Sequence, residues 1–210
     1  MTQSKVIGIT GGVGAGKSTV LLYIREHYDT EIILADEVGR ALMEPGCSVY
    51  EALKAYYGDS ILSEDGRIDR AALAAVGLQD QESQAILNRI EHPLIRKEIL
   101  KLIRNSGKDL VFLEAALLKE GGLTGICDEI WTVDAGLCTR IERLMESRGY
   151  TEEKCRMIIE RQLSETDFRE LADVVIRNDG PLEEVFRVID KEMNRIGAVR
   201  HEISESSERE

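Results

Sequence analysis

The chain predicts an α/β fold, a parallel five-stranded sheet between two layers of helices, with a helical insertion and a lid. Three observations predict it. Short apolar runs alternate with stretches of helical periodicity. The first run leads directly into a glycine-rich segment, G-G-V-G-A-G-K-S-T at 11–19, which opens a helix. A long helical stretch then separates the second and third apolar runs, more than a simple crossover needs.

The first strand is Lys5-Val6-Ile7-Gly8-Ile9-Thr10. Gly11, Gly16, Lys17 and Ser18 fit the phosphate-loop pattern G-x-x-x-x-G-K-[ST]. A polyphosphate needs several N–H donors converging on it, and a chain poor in Cβ atoms can wrap it closely. Gly12, Val13, Gly14, Ala15, Gly16, Lys17, Ser18 and Thr19 are therefore read as the cradle of ATP. Lys17 brings a cation to the outer phosphates, and Ser18 offers a hydroxyl to Mg²⁺. The helix from Ser18 to His27, with Val20, Leu21 and Ile24 on one face, adds the positive end of its dipole. At about 7% glycine usage, a chance match in a chain of this length is roughly a one-in-a-hundred event.

The second strand is Thr30 to Ala35, with Asp36 at its end. Ligands of parallel sheets gather at the carboxyl ends of the strands, so Asp36 is placed to face the loop; it is equally placed to cap a helix from Glu37 to Met43. Glu44-Pro45-Gly46 breaks the chain. A helix follows from Ser48, then an irregular link, and then Arg70 to Val76 with Asp69 as its N-cap. Gln81 to Glu91 and Leu94 to Ile103 read as two helices separated by His92-Pro93. His92 is either a substrate ligand or a polar residue at a helix break. Arg96 is either an anion ligand or a solvated charge.

Asp109 to Leu113 is the third strand, ending at Glu114, an arrangement suited to holding Mg²⁺ directly or through water. Glu129 to Val133 is the fourth, ended by Asp134. A basic helix carries Arg140, Arg143 and Arg148. A second, with Thr151 as N-cap, runs through Arg161 and Gln162. Together they suggest a lid whose arginines stabilise charge on a moving phosphoryl group, or else an ordinary salt-bridged surface. Ala172 to Ile176 is the fifth strand. Asn178-Asp179-Gly180-Pro181 is a turn; Asn178 and Gly180 are either contacts of a nucleotide base, as the loop after the last strand often is in this class, or part of a plain turn. Leu182, Val185, Val188 and Ile189 mark the last amphipathic helix. Residues 201–210 read as a disordered acidic tail.

The totals bound the partners. The 210 residues, 43% hydrophobic, suffice for one core and a small subdomain. A net charge of −12 argues against a nucleic-acid backbone as the main partner. No apolar run is long enough to span a membrane, and the chain enters its first strand with no room for a signal peptide. The four cysteines, Cys47, Cys127, Cys138 and Cys155, contain no C-x-x-C and read as free thiols of a reducing cytoplasm.

These parts combine into a small-molecule kinase of the phosphate-loop nucleoside/nucleotide kinase type. No guanine-reading N-K-x-D is present. A carboxylate opposite the loop suits a hydroxyl acceptor better than a phosphate acceptor. The set of motifs resembles the dephospho-CoA kinase family: the loop at 11–19, A-D-E-V-G-R at 35–40 with E-P-G at 44–46, H-P-L-I-R at 92–96, and L-E-A-A-L-L-K-E at 113–120. R-L-M-E-S-R-G-Y-T at 143–151, R-Q at 161–162 and A-D-V-V-I-R-N-D-G at 172–180 complete it. The resemblance implies transfer of the γ-phosphoryl of MgATP to the ribose 3′-hydroxyl of dephospho-CoA. It implies a nucleotide-binding core over 1–36 and 107–200, a lid at about 138–168 and an acceptor subdomain over 37–106. Asp36, Lys17 and Arg143 would be catalytic. Asp36, Arg40, His92, Arg96 and Glu114 would meet the acceptor, and Ser18 and Glu114 the metal. A cytoplasmic enzyme, a monomer or weak homo-oligomer, is implied. The chain departs from the family in three places. Leu34 stands where the family often has a first acid, Glu114-Ala115-Ala116 replaces D-V-P, and Ser147 precedes Arg148 where the family often has the lid's second arginine one position earlier. A nucleoside or nucleotide kinase of similar fold and a non-catalytic nucleotide-binding regulator are the rival readings.

Overall fold

A computed structural model describes residues 4–116 and 118–201; positions 202–210, nearly all of the segment read as a tail, lie outside the described residues. Five strands form one parallel sheet: β1 (Lys5–Thr10), β2 (Glu31–Leu34), β3 (Leu110–Glu114), β4 (Glu129–Asp134) and β5 (Val174–Arg177). Their spatial order is β2-β3-β1-β4-β5. Strand alternation divides the core. Ile7, Ile9, Phe112 and Trp131 point to one face and pack with Val20, Ile24, Val185, Ile189 and Met193. These last belong to α1 (Lys17–His27) and α9 (Leu182–Arg195). Val6, Ile33, Val111 and Leu113 point to the other face, against Ile99 and Ile103.

The register brings the functional ends together. Ile9 and Leu34 both pair with Glu114, and Thr10 pairs with Thr132. The glycine loop after β1, Asp36 just after β2 and Glu114 at the end of β3 therefore emerge at one edge of the sheet.

The insertion consists of α2 (Ala35–Leu42), α3 (Ser48–Tyr57), α4 (Arg70–Gly77) and the first part of α5 (Gln81–Asn105). Val49, Leu53, Ile61, Leu73 and Leu87 form its core. Asp69 caps α4 as expected, accepting from the Ala71 and Ala72 amides at 2.8 and 3.2 Å. Two expectations fail here. Asp36 does not cap a helix: α2 starts at Ala35, and Asp36 lies inside its first turn with no capping bond. The two helices expected on either side of His92-Pro93 are one, with Pro93 inside it. Its apolar face crosses the proline. Leu87, Ile90 and Leu94 pack into the insertion, Ile99 and Ile103 pack on the sheet, and Ile95 touches both. Burial at both ends outweighs the loss of one backbone bond at proline.

On the β4 side lie α6 (Leu137–Arg148), α7 (Glu152–Glu160) and α8 (Glu165–Leu171). Thr151 caps α7 through the Lys154 amide at 3.3 Å. α8 is not among the helices expected from the sequence, although Ser164 and Asp167 form a reciprocal capping box at its start. Among the described residues no helix is long and apolar enough to cross a membrane.

Candidate active site

The loop from Gly11 to Gly16 turns through left-handed backbone. Gly14 has φ +79°, and a Cβ there would lie 2.7 Å from the Arg140 carbonyl oxygen; at Gly12 the Cβ would run into the Arg140 guanidinium. Gly14 must be glycine because its backbone is left-handed and passes this close to the α6 backbone, whereas a side chain at Gly12 would have to displace the Arg140 guanidinium. Gly16 caps α1, and its carbonyl accepts from the Thr19 and Val20 amides at 3.1 and 3.2 Å. Ser18 is exposed in the first turn.

Lys17 folds over the loop, donating from Nζ to the Gly11 carbonyl at 2.9 Å, and lies 3.7 Å from Glu114 Oε1. Burial pulls the ammonium below its ordinary pKa, while the charges of Glu114 and Asp36 oppose the shift. Burial likewise raises the Glu114 carboxyl, against the pull of Lys17. The three residues form one electrostatic unit beside the loop, although Asp36 stands on α2 and Glu114 on β3.

The loop is braced from behind. Arg140 is 4% exposed. Its Nε donates to the Val13 carbonyl at 2.9 Å and its Nη2 to Gln162 Oε1 at 3.1 Å. Gln162 Oε1 also accepts from the Val13 amide at 2.8 Å. Asn178 is buried and donates to the Ala15 carbonyl at 2.8 Å. Arg143 donates to the Ala15 carbonyl at 3.3 Å and to the Asn178 carbonyl at 2.9 Å. The arginine expected in a lid thus sits on α6 against the loop. Asn178, expected at the base, has its side-chain amide engaged by the loop. Gly180 is exposed in the turn before α9, and Arg148 packs near the Tyr150 ring, 6.0 Å from its centroid. Gln162 and Arg140 were missed as loop contacts; the R-Q pair at 161–162 was the available signal.

On the other side of Asp36 a cleft of about 500 Å³ opens, lined among others by Asp36, Arg40, Met43, Arg70, Glu91 and His92. Arg40 Nε donates to the Asp36 carbonyl one turn back at 3.1 Å. Burial lowers the pKa of His92. It pushes Glu91 up to about 7. Neither Glu91 nor Arg70 was singled out from sequence. Arg96, one turn past His92, is exposed and does not line the cleft.

The donor set bears on a metal. Among the described residues no three His, Cys, Asp or Glu side chains cluster as a self-sufficient metal site. One exposed hydroxyl and two nearby carboxylates suit Mg²⁺, which binds through a few protein oxygens, substrate phosphates and water.

Comparison with known proteins gives a consistent picture. A family model described as dephospho-CoA kinase matches residues 5–184. A dephospho-CoA kinase from Corynebacterium diphtheriae is 40% identical over 179 residues, covering 84% of this chain and 89% of its own. One from Geobacillus kaustophilus is 39% identical over 184 residues, with coverage of 86% and 91%. A solved structure from Thermus thermophilus superposes with a TM-score of 0.80 at 29% identity, covering 93% of this chain and 99% of its own.

Proposed function

The chain belongs to the dephospho-CoA kinase family, and from that premise we propose a division of labour for its phosphorylation of dephospho-CoA, the last step of coenzyme A biosynthesis, with ATP as donor. The glycine loop holds the triphosphate, and the cleft on the far side of Asp36 holds the acceptor. One observation carries this reading: Asp36 both lines the cleft and acts electrostatically on Lys17. A side chain at that junction can touch the ribose 3′-hydroxyl as it approaches the γ-phosphorus.

In this mechanism Asp36 orients the hydroxyl and takes its proton as the new O–P bond forms and the bond to the β-phosphate bridge breaks. Lys17 leaves the Gly11 carbonyl to neutralise charge on the β- and γ-phosphates. Arg143 keeps the loop in shape and lends its charge at the Gly14–Ala15 side. Ser18 and Glu114 would hold Mg²⁺, Glu114 directly or through water; the ion supplies charge neutralisation to the phosphates. His92 and Arg40 position the acceptor from the cleft wall. A biosynthetic role of this kind and the unpaired cysteines of the described chain support a cytoplasmic location.

The test is ATP-dependent phosphorylation of dephospho-CoA by the purified chain, with the product identified by mass and with adenosine and AMP as competing acceptors. Coenzyme A with little transfer to the others is the expected result. Preference for a nucleoside monophosphate, or ATP binding with no transfer to dephospho-CoA, would refute the assignment of the cleft.

A further inference from the structure

The cleft carries cations that aligning a hydroxyl does not require. Arg40 and Arg70 both line it, and both are exposed. Elsewhere Arg67, Arg156, Arg169, Arg195 and Arg200 each pair with a carboxylate. Arg40 and Arg70 form no such pair among the described residues. Other arginines among the described residues, such as Arg25, Arg89 and Arg187, also lack a carboxylate partner; what sets Arg40 and Arg70 apart is that they come from separate helices and line one cleft, which points to an anionic ligand. The adjacent wall is not strongly acidic, since burial keeps Glu91 near half-protonated at neutral pH.

The spacing suits a nucleotide whose 3′-hydroxyl lies at Asp36. Arg40 is four residues farther along α2, about 6 Å along the helix axis, and the 5′-oxygen of such an acceptor lies across the same sugar at a comparable distance. Arg70, the first residue of α4, enters the cleft from a separate element. A planar guanidinium is well matched to phosphate oxygens, and two of them from different helices can hold a diphosphate from two directions.

Resting on the reading of this cleft as the acceptor site, we propose that Arg70, with Arg40, grips the 5′-diphosphate of dephospho-CoA, and that Arg70 is a specificity-determining residue that separates this acceptor from uncharged nucleosides.

The test compares the full chain with its Arg70→Ala and Arg70→Lys variants, using dephospho-CoA and then adenosine as acceptor, and with ATP varied separately. A hydrogen bond to a charged group contributes about 1.5–3 kcal/mol, a factor of about 10 to 100. The expected result is a rise of that order in KM for dephospho-CoA with Arg70→Ala, a smaller rise with Arg70→Lys, and a constant KM for ATP. The preference for dephospho-CoA over adenosine should shrink by the same factor. An unchanged KM, or an equal loss with both acceptors, would overturn the assignment. A second variant, Ala116→Phe, fills the cleft without changing its charge. If it raises KM for dephospho-CoA while Arg70→Ala does not, the cleft still binds the acceptor and only the diphosphate assignment falls. If a folded Ala116→Phe protein also leaves KM unmoved, the acceptor site itself lies elsewhere and both readings fall.

Discussion

Replacing Asn178 with alanine would separate a brace of the phosphate loop from a contact with the nucleotide base. Asn178 is 1% exposed, and its amide donates to the Ala15 carbonyl at 2.8 Å. Its backbone carbonyl accepts from Arg143 at 2.9 Å and its Oδ1 at 3.4 Å. Alanine removes the amide but leaves the backbone acceptor, so Arg143 keeps the shorter bond. The Ala15 carbonyl would retain Arg143 Nη1 at 3.3 Å. The loss therefore lies between the net value of one bond, about 1 kcal/mol, and the penalty of a fully orphaned buried group, up to about 3 kcal/mol. With the small cavity included, about 2 kcal/mol is the working figure. For a chain of this size each kcal/mol shifts Tm by about 2–4 °C, so a fall of about 4–8 °C is expected.

The same loss reappears in nucleotide binding if the loop must be reordered around the phosphates. Two kcal/mol corresponds to a rise of up to about 30-fold in the KM for ATP. The deciding assay uses ATP and GTP as alternative donors at saturating dephospho-CoA. A brace acts on the triphosphate common to both, so both KM values should rise by the same factor. A loss confined to ATP would return Asn178 to the base. A Tm within about 1 °C of the parent with unchanged KM values would remove the brace altogether.

Three further predictions follow from single residues. Asp36→Asn should leave ATP binding near normal and cut kcat by about 100-fold or more, the usual contribution of a general base; turnover within a few-fold of the parent, measured by coupled ADP release, would exclude the base role. Glu91 has a folded pKa of about 7 against an ordinary 4.5, so the fold favours its protonated form. That contribution is fully present below pH 4.5 and is lost as pH rises through 7. Glu91→Gln should therefore gain Tm over the parent at pH 8.5 by clearly more than at pH 5, and a constant difference would show that burial does not hold the proton. Pro93→Ala restores an amide inside α5, and the gain in helix energy should exceed the freedom returned to the unfolded chain. A Tm higher by a few degrees is expected in a thermal melt, and a lower one would mean that the proline-bent helix is itself what the packing requires.

Much of the fold was legible because its signals are local. Apolar runs ended by Asp36, Glu114 and Asp134, together with a glycine loop opening a helix, give the strands and the nucleotide edge directly. The loop's braces are different. Arg140, Gln162 and Asn178 reach Val13 and Ala15 from 127, 149 and 163 residues away, and no periodicity encodes contacts of that separation. Helix geometry does explain which arginines face the loop once the axis of α6 is known. Arg140 and Arg143 are three residues apart and share a face. Arg148 is five residues past Arg143, a rotation of about 140° in excess of one full turn, which carries it to nearly the opposite side.

The side of the cleft at α5 shows the converse, a strong local signal that tertiary structure overrides. His92-Pro93 reads as a helix break, and only the burial of Leu87 in the insertion and of Ile99 on the sheet makes α5 continuous. The consequence is mechanical. Glu91 and His92, which line the cleft, stand on the same helix that packs against Val111 and Leu113 of β3, next to Glu114. Asp36 stands on α2, which follows directly from β2, and β2 pairs with β3. The Asp36 and His92 sides of the cleft are thus referred to one sheet, through elements with no loop between the sheet contact and the cleft residue. A broken α5 would have left its wall to pivot at His92. The continuous helix fixes the distance between His92 and Asp36, and with it, in the proposed mechanism, the approach of the hydroxyl to the phosphate loop.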